Sequence, residues 1–349
     1  MNEIKMAVIG CGYWGPNLIR NYVALPESEV VAVADLMDSR LDHIKRLYPH
    51  IKITNNYYDL FSLGLDAVVV ATPPSTHFQI AKDCLLNGLH TFVEKPFTLN
   101  SRDSKELISL AEAGDLTLMV GHTFEYNPAV RKVKEIIESG ELGNIYYVDA
   151  MRLSLGLFQQ DMNVLWDLAP HDISILLFIL GQDPIKISAR GGDCIFTGKH
   201  DIAYLHLEFP DNVLAHIHVS WLDPCKVRRY TVVGSDKMLI YDDVESLEKI
   251  KIYDKGVETL PYTDTFGDFQ CSYRYGDVTI PHIQFTEPLR IESQHFIDCI
   301  LTRCNEPLSS GLDGLKVVSI LETAQRSLEN GGECEMFSLE PTSMEDVIA

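Results

Sequence analysis

The sequence opens on a short apolar run, Ile4 to Ile9, that breaks at once into Gly10-Cys11-Gly12-Tyr13-Trp14-Gly15-Pro16. A buried strand that turns straight into a helix on three spaced glycines leaves few options for the fold around it. The first glycine permits the tight turn, the second lets a pyrophosphate approach the backbone, and the third lets helix pack on strand. Pro16 suits a first helical turn, where a missing N–H costs nothing. Leu18, Ile19, Tyr22 and Val23 then recur at helical spacing. The start of such a helix offers free N–H groups and a positive dipole end to phosphates. A second apolar run, Val30 to Ala34, ends in Asp35, about twenty residues past the third glycine, where a ribose-binding carboxylate belongs. Asp35 would accept from ribose hydroxyls and repel a 2′-phosphate, which points to NAD over NADP. Arg40 stands against that preference, since it could lie over the adenine or pair with such a phosphate. The candidate cofactor contacts here are Gly10, Gly12, Tyr13, Trp14, Gly15, Asp35 and Arg40.

Strands and helices continue to alternate. Asp66 to Ala71 reads as a buried strand, followed by Thr72-Pro73-Pro74-Ser75-Thr76-His77 and a helix over Phe78 to Leu86 that Asn87-Gly88 stops. Thr91 to Val93 runs into Glu94-Lys95-Pro96. A helix over Ser101 to Ala113 follows, with Ser101 as its cap, and then a strand over Leu116 to Val120. This pattern predicts a parallel sheet, and such sheets bind ligands where the carboxyl ends of the strands emerge. Thr72, Pro73, His77, Glu94 and Lys95 fall at those ends and are candidates to line the cofactor channel. The Thr72–His77 loop also reads as a Pro-rich turn that caps the next helix at Ser75 or Thr76. Lys95 could be a surface lysine beside a loop proline. At a strand end it could equally hydrogen-bond a substrate oxygen while negative charge develops there.

After Gly121 the rhythm changes. Alternating strands are read at Ile145 to Arg152, Ile185 to Ala189, Ala203 to Phe209, Val213 to Trp221, Arg229 to Val233 and Met238 to Tyr241. One helix, Asp167 to Leu180, interrupts them, and two helices, Leu289 to Cys304 and Leu312 to Asn330, close the chain. The expected architecture is an N-terminal α/β dinucleotide-binding (Rossmann) domain over residues 1–121. An α+β domain over 122–349 follows, with an open, mostly antiparallel sheet and closing helices at about 289–330. Since proline is tolerated in a helix's first turn, Pro170 predicts that the interposed helix starts near Asp167. Asp167 and His171 then lie one turn apart on one face. Asp167 is either the helix cap or the carboxylate that orients a general-base histidine.

Composition narrows the function classes. With 29 Lys+Arg against 50 Asp+Glu, the net charge is −21 and no basic block appears, which excludes a nucleic-acid binder. The run Ile173 to Leu180 is too short to span a bilayer, and Met1 to Gly10 does not read as a secretory leader. Eight cysteines without a Cys-x-x-Cys pair read as reduced thiols in the cytoplasm. His206, His216 and His218 alternate with apolar residues on one sheet face. A His-x-His pair can ligate metal, but no third ligand is evident, so an oligomer-facing surface is expected and no metal.

The glycine motif, Glu94-Lys95-Pro96 and the Asp167-x-x-x-His171 pair, in this order, resemble the glucose–fructose oxidoreductase/inositol dehydrogenase (Gfo/Idh/MocA) family over nearly the whole chain. The resemblance implies that Lys95, Asp167 and His171 are catalytic and that the glycine loop with Asp35 holds NAD. It also implies a homo-oligomer, dimer or tetramer, assembled through the second-domain sheet. Gly12 to Asn17, Gly121 to Phe124, Tyr126-Asn127-Pro128 and Trp166 to Asp172 are similar to members that oxidise nucleotide-activated amino sugars at C3. UDP-N-acetylglucosamine is the usual type of substrate there, and an aminotransferase acts on the 3-keto product. On that reading Lys95, Tyr126, Asn127, Arg152 and His171 contact the substrate, although Arg152 also reads as a sheet-face ion-pair residue. A dehydrogenase of a free polyol or inositol is the alternative within enzymes. A non-catalytic NAD-binding sensor or repressor is the alternative outside them, and it has no need for Lys95 and His171 together.

Overall fold

A computed structural model describes residues 3–156, 158–159, 161–259, 271–303 and 306–339; Cys304 lies outside them. The first elements are β1 (Ile4–Ile9), α1 (Gly15–Val23), β2 (Ser28–Ala34), α2 (Asp38–Leu47), β3 (Lys52–Thr54), β4 (Ala67–Val70), α3 (His77–Leu86), β5 (His90–Glu94), α4 (Ser101–Ala113) and β6 (Leu118–Gly121). Next come α5 (Pro128–Glu138), β7 (Ile145–Leu153), α6 (Val164–Leu180), β8 (Lys186–Gly192), β9 (Ile202–Glu208), β10 (Leu214–Ser220), β11 (Val227–Gly234) and β12 (Met238–Asp242). The chain continues through β13 (Ile250–Thr259), β14 (Cys271–Thr279), α7 (Pro288–Thr302), α8 (Gly311–Glu329) and β15 (Glu335–Met336). Among the described residues one unit takes the chain up to Tyr126, Thr286–Glu322 and Leu339. The other takes Asn127–Phe285 and Thr323–Ser338.

In the first unit, β1, β4 and β5 are almost wholly buried and apolar, as strands covered on both faces must be. The sheet order is β3-β2-β1-β4-β5-β6, parallel throughout. Strand order therefore reverses between β1 and β4, and Gly10 and Ala71 stand at the carboxyl ends of those two strands. That is the switch point where doubly wound sheets bind their ligand. The core joins Met6, Val8, Tyr22, Val69 and Phe92 to Leu289, Phe296, Ile297 and Ile300 of α7. Phe296 packs edge-on to Phe92 and Tyr22, with ring centroids 5.8 and 6.5 Å away. This corrects the expectation that the closing helices belong to the second domain. The apolar side of α7 completes the first core, and the change of unit falls inside α8.

The second unit is built on a nine-stranded sheet of order β14-β13-β12-β11-β7-β10-β9-β8-β15, antiparallel except for the β7–β10 pair. Val148, Ala150, Ala215, Ile217 and Val219 point to the face that α5 and α6 cover. Asp149, Met151, Tyr204, His206, His216 and His218 alternate onto the other face, opposite the one that α5 and α6 cover. Their rings form a ladder, with centroid separations of 4.2 Å for Tyr204–His218 and 4.8 Å for His206–His216. His216 Nδ1 lies 2.9 Å from Asp149.

Helix α6 begins at Val164, three residues before the expected start, and carries Pro170 in its interior. A mid-helix proline costs about 3 kcal/mol, which burial of Val164, Leu165, Ala169, Ile173 and Leu176 offsets. Asn163 caps this helix by accepting from Trp166 N–H, so Asp167 is not the cap. Asn100, in the same way, caps α4 in place of Ser101.

Candidate functional site

Each glycine of the first loop has its own steric reason. Gly10 has φ +99°, and a Cβ there would stand 2.4 Å from the Ala71 carbonyl oxygen at the end of β4. A Cβ at Gly15 would stand 2.1 Å from the Gly10 carbonyl oxygen, so the third glycine lets the helix close on the turn. At Gly12 the nearest atom a Cβ would meet is Arg40 Nη1, 3.9 Å away. The chain itself does not crowd this position, and the space suits a ligand backed directly against the main chain. No side chain caps α1, leaving its first N–H groups to an anion.

Asp35 is tied into the same loop. Its Oδ2 accepts from Cys11 N–H at 2.6 Å and its Oδ1 from Met37 N–H at 2.8 Å. A carboxylate has about four acceptor positions, so two backbone donors leave capacity for ribose hydroxyls. Arg40 Nη1 sits 3.5 Å from Asp35 Oδ2 and is half-exposed, an ion pair at the edge of the loop. Burial, reinforced by Asp35, pushes the Cys11 thiol up to about 12, so it stays protonated and inert. Tyr13 is exposed and Trp14 partly so, with their rings edge to face. These residues fit a dinucleotide: a glycine cradle, a free helix start and a fixed carboxylate.

The ends of β4 and β5 hold the next group. His77, expected to line the cofactor channel, is instead fully buried. Its ring nitrogens lie 2.8 Å from the Pro96 carbonyl and 2.9 Å from the Thr72 carbonyl. It fastens the Thr72–Pro73 loop to the segment that follows Lys95, a tie rather than a contact surface. Thr76, a candidate helix cap, instead directs its hydroxyl to Thr72 Oγ1 and the Pro73 carbonyl. Glu94, also expected at the cofactor, is turned inward. Its Oε2 accepts from Lys95 N–H at 3.2 Å, and a Cβ at Gly121 would meet that oxygen at 3.0 Å. Burial raises the Glu94 carboxyl to about 7 against the opposing pull of Lys95. Burial and then the Lys95 charge lower His122 to about 3. The Lys95 charge also adds to the burial that lowers His77. One ammonium thus acts on groups from β5, from the start of α3 and from the residue after β6.

Beneath lies a buried acidic group that the sequence did not reveal. Glu292 of α7 accepts from Thr123 Oγ1 at 2.8 Å through one oxygen, and its other oxygen has no partner among the described residues. Burial, with Glu94 as a like charge, holds Glu292 well above the usual carboxylate range. Glu125 is buried nearby and raises it further.

In the second unit, Asp167 and His171 are one turn apart on α6, as expected. Asp167 has a partner that spacing could not predict: its Oδ2 accepts from Trp221 Nε1–H at 3.0 Å. Three residues expected at the substrate have partners inside the protein. Arg152 is buried on the helix-covered side of β7 and pairs with Asp172 through Nε at 2.7 Å and Nη2 at 3.0 Å. Tyr230 donates to the same carboxylate. Asn127 is buried, caps α5 by accepting from Ala129 N–H, and donates to Tyr241 and Asp243. Tyr126, in the first unit, is fully buried with its hydroxyl 3.0 Å from Ser309 Oγ. All three are aromatic or polar groups that sequence reading assigns to ligands because their buried partners are far away in the chain. Among the described residues no group of three His, Cys, Asp or Glu could hold a metal, and no helix is long and apolar enough to cross a membrane.

The model of an oxidoreductase family with an NAD-binding Rossmann fold matches residues 4–122, and the C-terminal-domain model of the same Gfo/Idh/MocA family matches 130–240. The chain belongs to the Gfo/Idh/MocA family. This family member is an NAD-dependent oxidoreductase, and its first unit is the NAD-binding domain. It is 28% identical to UDP-N-acetylglucosamine 3-dehydrogenase of Acidithiobacillus ferrooxidans, over 75% of this chain and 80% of that protein. It is 24% identical to scyllo-inositol 2-dehydrogenase (NAD(+)) of Bacillus subtilis, over 95% of each chain. The solved structure of the Acidithiobacillus enzyme shares the fold, with a TM-score of 0.77 at 24% identity, covering 95% of this chain and 99% of that one.

Proposed function

We propose that this Gfo/Idh/MocA protein oxidises a secondary alcohol of a nucleotide-activated sugar, at C3 of a UDP-N-acetylhexosamine, with NAD as acceptor. The observation that carries the reading is a charged lysine at the carboxyl edge of the β5 strand in a chain that also sets Asp167 and His171 one turn apart on α6. Similarity to an enzyme named for UDP-N-acetylglucosamine supports the substrate class. Bound NAD supplies the hydride acceptor. Lys95 donates a hydrogen bond to the substrate hydroxyl oxygen and stabilises the negative charge that grows as its proton leaves. His171, neutral, takes that proton at a ring nitrogen. Asp167 holds the imidazole and favours its charged form. Asp35, already fixed by two backbone donors, accepts from the adenosine ribose and disfavours a 2′-phosphate.

The chemistry implies a consumer for the product: a 3-keto sugar is the substrate type of an aminotransferase. The sheet face opposite α5 and α6, with Tyr204, His206, His216 and His218, supports assembly into a homo-oligomer through that face. The longer match to the inositol dehydrogenase, 95% of this chain against 75%, favours a free polyol as the second reading. Following NADH absorbance while UDP-N-acetylglucosamine, scyllo-inositol and myo-inositol are offered separately tests both. Turnover of UDP-N-acetylglucosamine with NAD is expected. Turnover of an inositol with none of the nucleotide sugar would replace the first reading by the second.

A further inference from the structure

We infer that Trp221 is a positioning residue for the proton transfer: its indole N–H fixes the carboxylate of Asp167 and thereby sets how strongly His171 takes a proton. This rests on the roles proposed above for Asp167 and His171. Trp221 is fully buried, and its Nε1–H donates to Asp167 Oδ2 at 3.0 Å. A hydrogen bond from a buried N–H to a carboxylate is short and charge-assisted, and it stabilises the ionised acid.

The indole cannot turn away from this contact. Trp221 N–H donates to the Asp201 carbonyl at 3.0 Å, and its own carbonyl accepts from Gly156 N–H at 3.0 Å. Its ring is flanked by Phe158, 5.2 Å between centroids, and a Cβ at Gly156 would reach the ring at 3.0 Å. The residue just past β10 is thus locked on both backbone sides and across its ring. Asp167 sits in the first turn of α6, one turn before His171. With one carboxylate oxygen held by the indole, the orientations in which Asp167 can meet the imidazole are restricted.

Removing the N–H has two consequences of predictable sign. The carboxylate loses its donor, so it attracts a proton on His171 more strongly, and the orientation that made transfer efficient is no longer fixed. Trp221→Phe keeps an aromatic ring and deletes only the donor. With NAD and whichever of UDP-N-acetylglucosamine and myo-inositol is turned over, kcat is expected to fall by about ten- to a hundred-fold with little change in KM. The acid limb of the kcat/KM profile is expected to move to higher pH by roughly half a unit or more. A purely structural role lowers thermal stability but leaves that limb in place. A folded Trp221→Phe protein with unchanged kcat and an unmoved limb overturns the inference.

His171→Ala in the same assay separates the two levels of argument. If it turns over normally, the acid/base reading itself has failed; if it is inactive while Trp221→Phe is normal, only the role of Trp221 has failed. A second measurement does not require replacing the ring. The chain has three tryptophans, Trp14, Trp166 and Trp221. In protein carrying 15N-labelled indole, Asp167→Asn is expected to shift one indole N–H resonance strongly, and a spectrum with none shifted overturns the contact.

Discussion

Two buried polar clusters, one in each unit, are satisfied in opposite ways. In the second, Arg152 and Asp172 share two hydrogen bonds, Tyr230 completes the carboxylate, and Asn127, Tyr241 and Asp243 form a further connected set. In the first, Glu292 keeps an oxygen without a partner, and neither ring nitrogen of buried His122 has one among the described residues. A buried polar group is normally hydrogen-bonded, because leaving it unmatched forfeits its hydration without return. Fully paired charge, as around Arg152, serves to define one packing. Unmatched polar groups such as His122, on which the Lys95 charge acts, weaken the fold, and such weakness gathers where chemistry needs perturbed groups. The contrast separates two kinds of conspicuous residue that look alike in a sequence.

The largest expected effect falls on turnover. Lys95→Ala and His171→Ala should each lower kcat by about two to four orders of magnitude, from loss of an oxygen-stabilising cation and of a positioned base. NADH binding, read by fluorescence titration, should survive both, since the glycine loop and Asp35 are untouched. Near-normal kcat in Lys95→Ala breaks the assignment of unmatched groups to chemistry, and near-normal kcat in His171→Ala breaks the acid/base assignment.

Next is stability in the second unit. Asp172→Ala leaves Arg152 buried without its carboxylate and should cost about 3–5 kcal/mol in urea unfolding. Glu292→Gln in the first unit keeps a group for Thr123 and removes a carboxyl that burial already disfavours. It should cost little or stabilise. Equal losses from the two would erase the contrast.

Glu94 gives the comparison a pH axis. Its folded value of about 7 lies above the ordinary 4.5, so between these values the folded state holds a proton that the unfolded state has released. Stability from this group is therefore fully present below about pH 4.5, falls as pH rises to about 7, and is flat beyond. Glu94→Gln should remove that slope and gain up to about 3 kcal/mol above pH 7. Unfolding curves collected across that range check it. A slope that persists in the variant assigns the titration to another group.

What the sequence disclosed, and what it withheld, follows the same division. Gly10, Gly12, Gly15 and Asp35 were legible because strand, turn and helix lie together in the chain, and each glycine has a local backbone reason. Parallel and antiparallel sheets were legible from continuous against alternating apolar runs, whereas the three-residue β3 and the late strands β13 to β15 were too short or irregular to stand out. Pairings across the chain left no periodic mark: Trp221 with Asp167, Thr123 with Glu292, Arg152 with Asp172. Arg152, Asn127 and Tyr126 therefore resemble ligand contacts in the sequence, while in the structure each has a partner inside the protein. The proline rule alone places the start of α6 too late, because the apolar residues before Pro170 extend the helix back to Val164. Asn163, directly ahead of that apolar run, was the signal available.

The smallest effect concerns these caps and carries the comparison down to single hydrogen bonds. Asn100 accepts from Asp103 N–H at the start of α4 in the first unit, and Asn163 accepts from Trp166 N–H at the start of α6 in the second. Replacing either by Ala removes the cap bond and a second side-chain bond, from Asn100 to Asp103 or from Asn163 to Gln325, and should cost about 1–2 kcal/mol, read as a fall in Tm. The functional outcomes should differ. Helix α6 carries Asp167 and His171 within its first two turns, so fraying at Val164 loosens the carboxylate that Trp221 and the helix hold together. Helix α4 carries none of the proposed catalytic groups. Asn163→Ala should therefore lower kcat several-fold at a temperature where both variants are folded, while Asn100→Ala should leave it near the parent value. Equal losses of kcat in the two variants would mean that turnover follows global stability, and the local link from cap to carboxylate would be wrong.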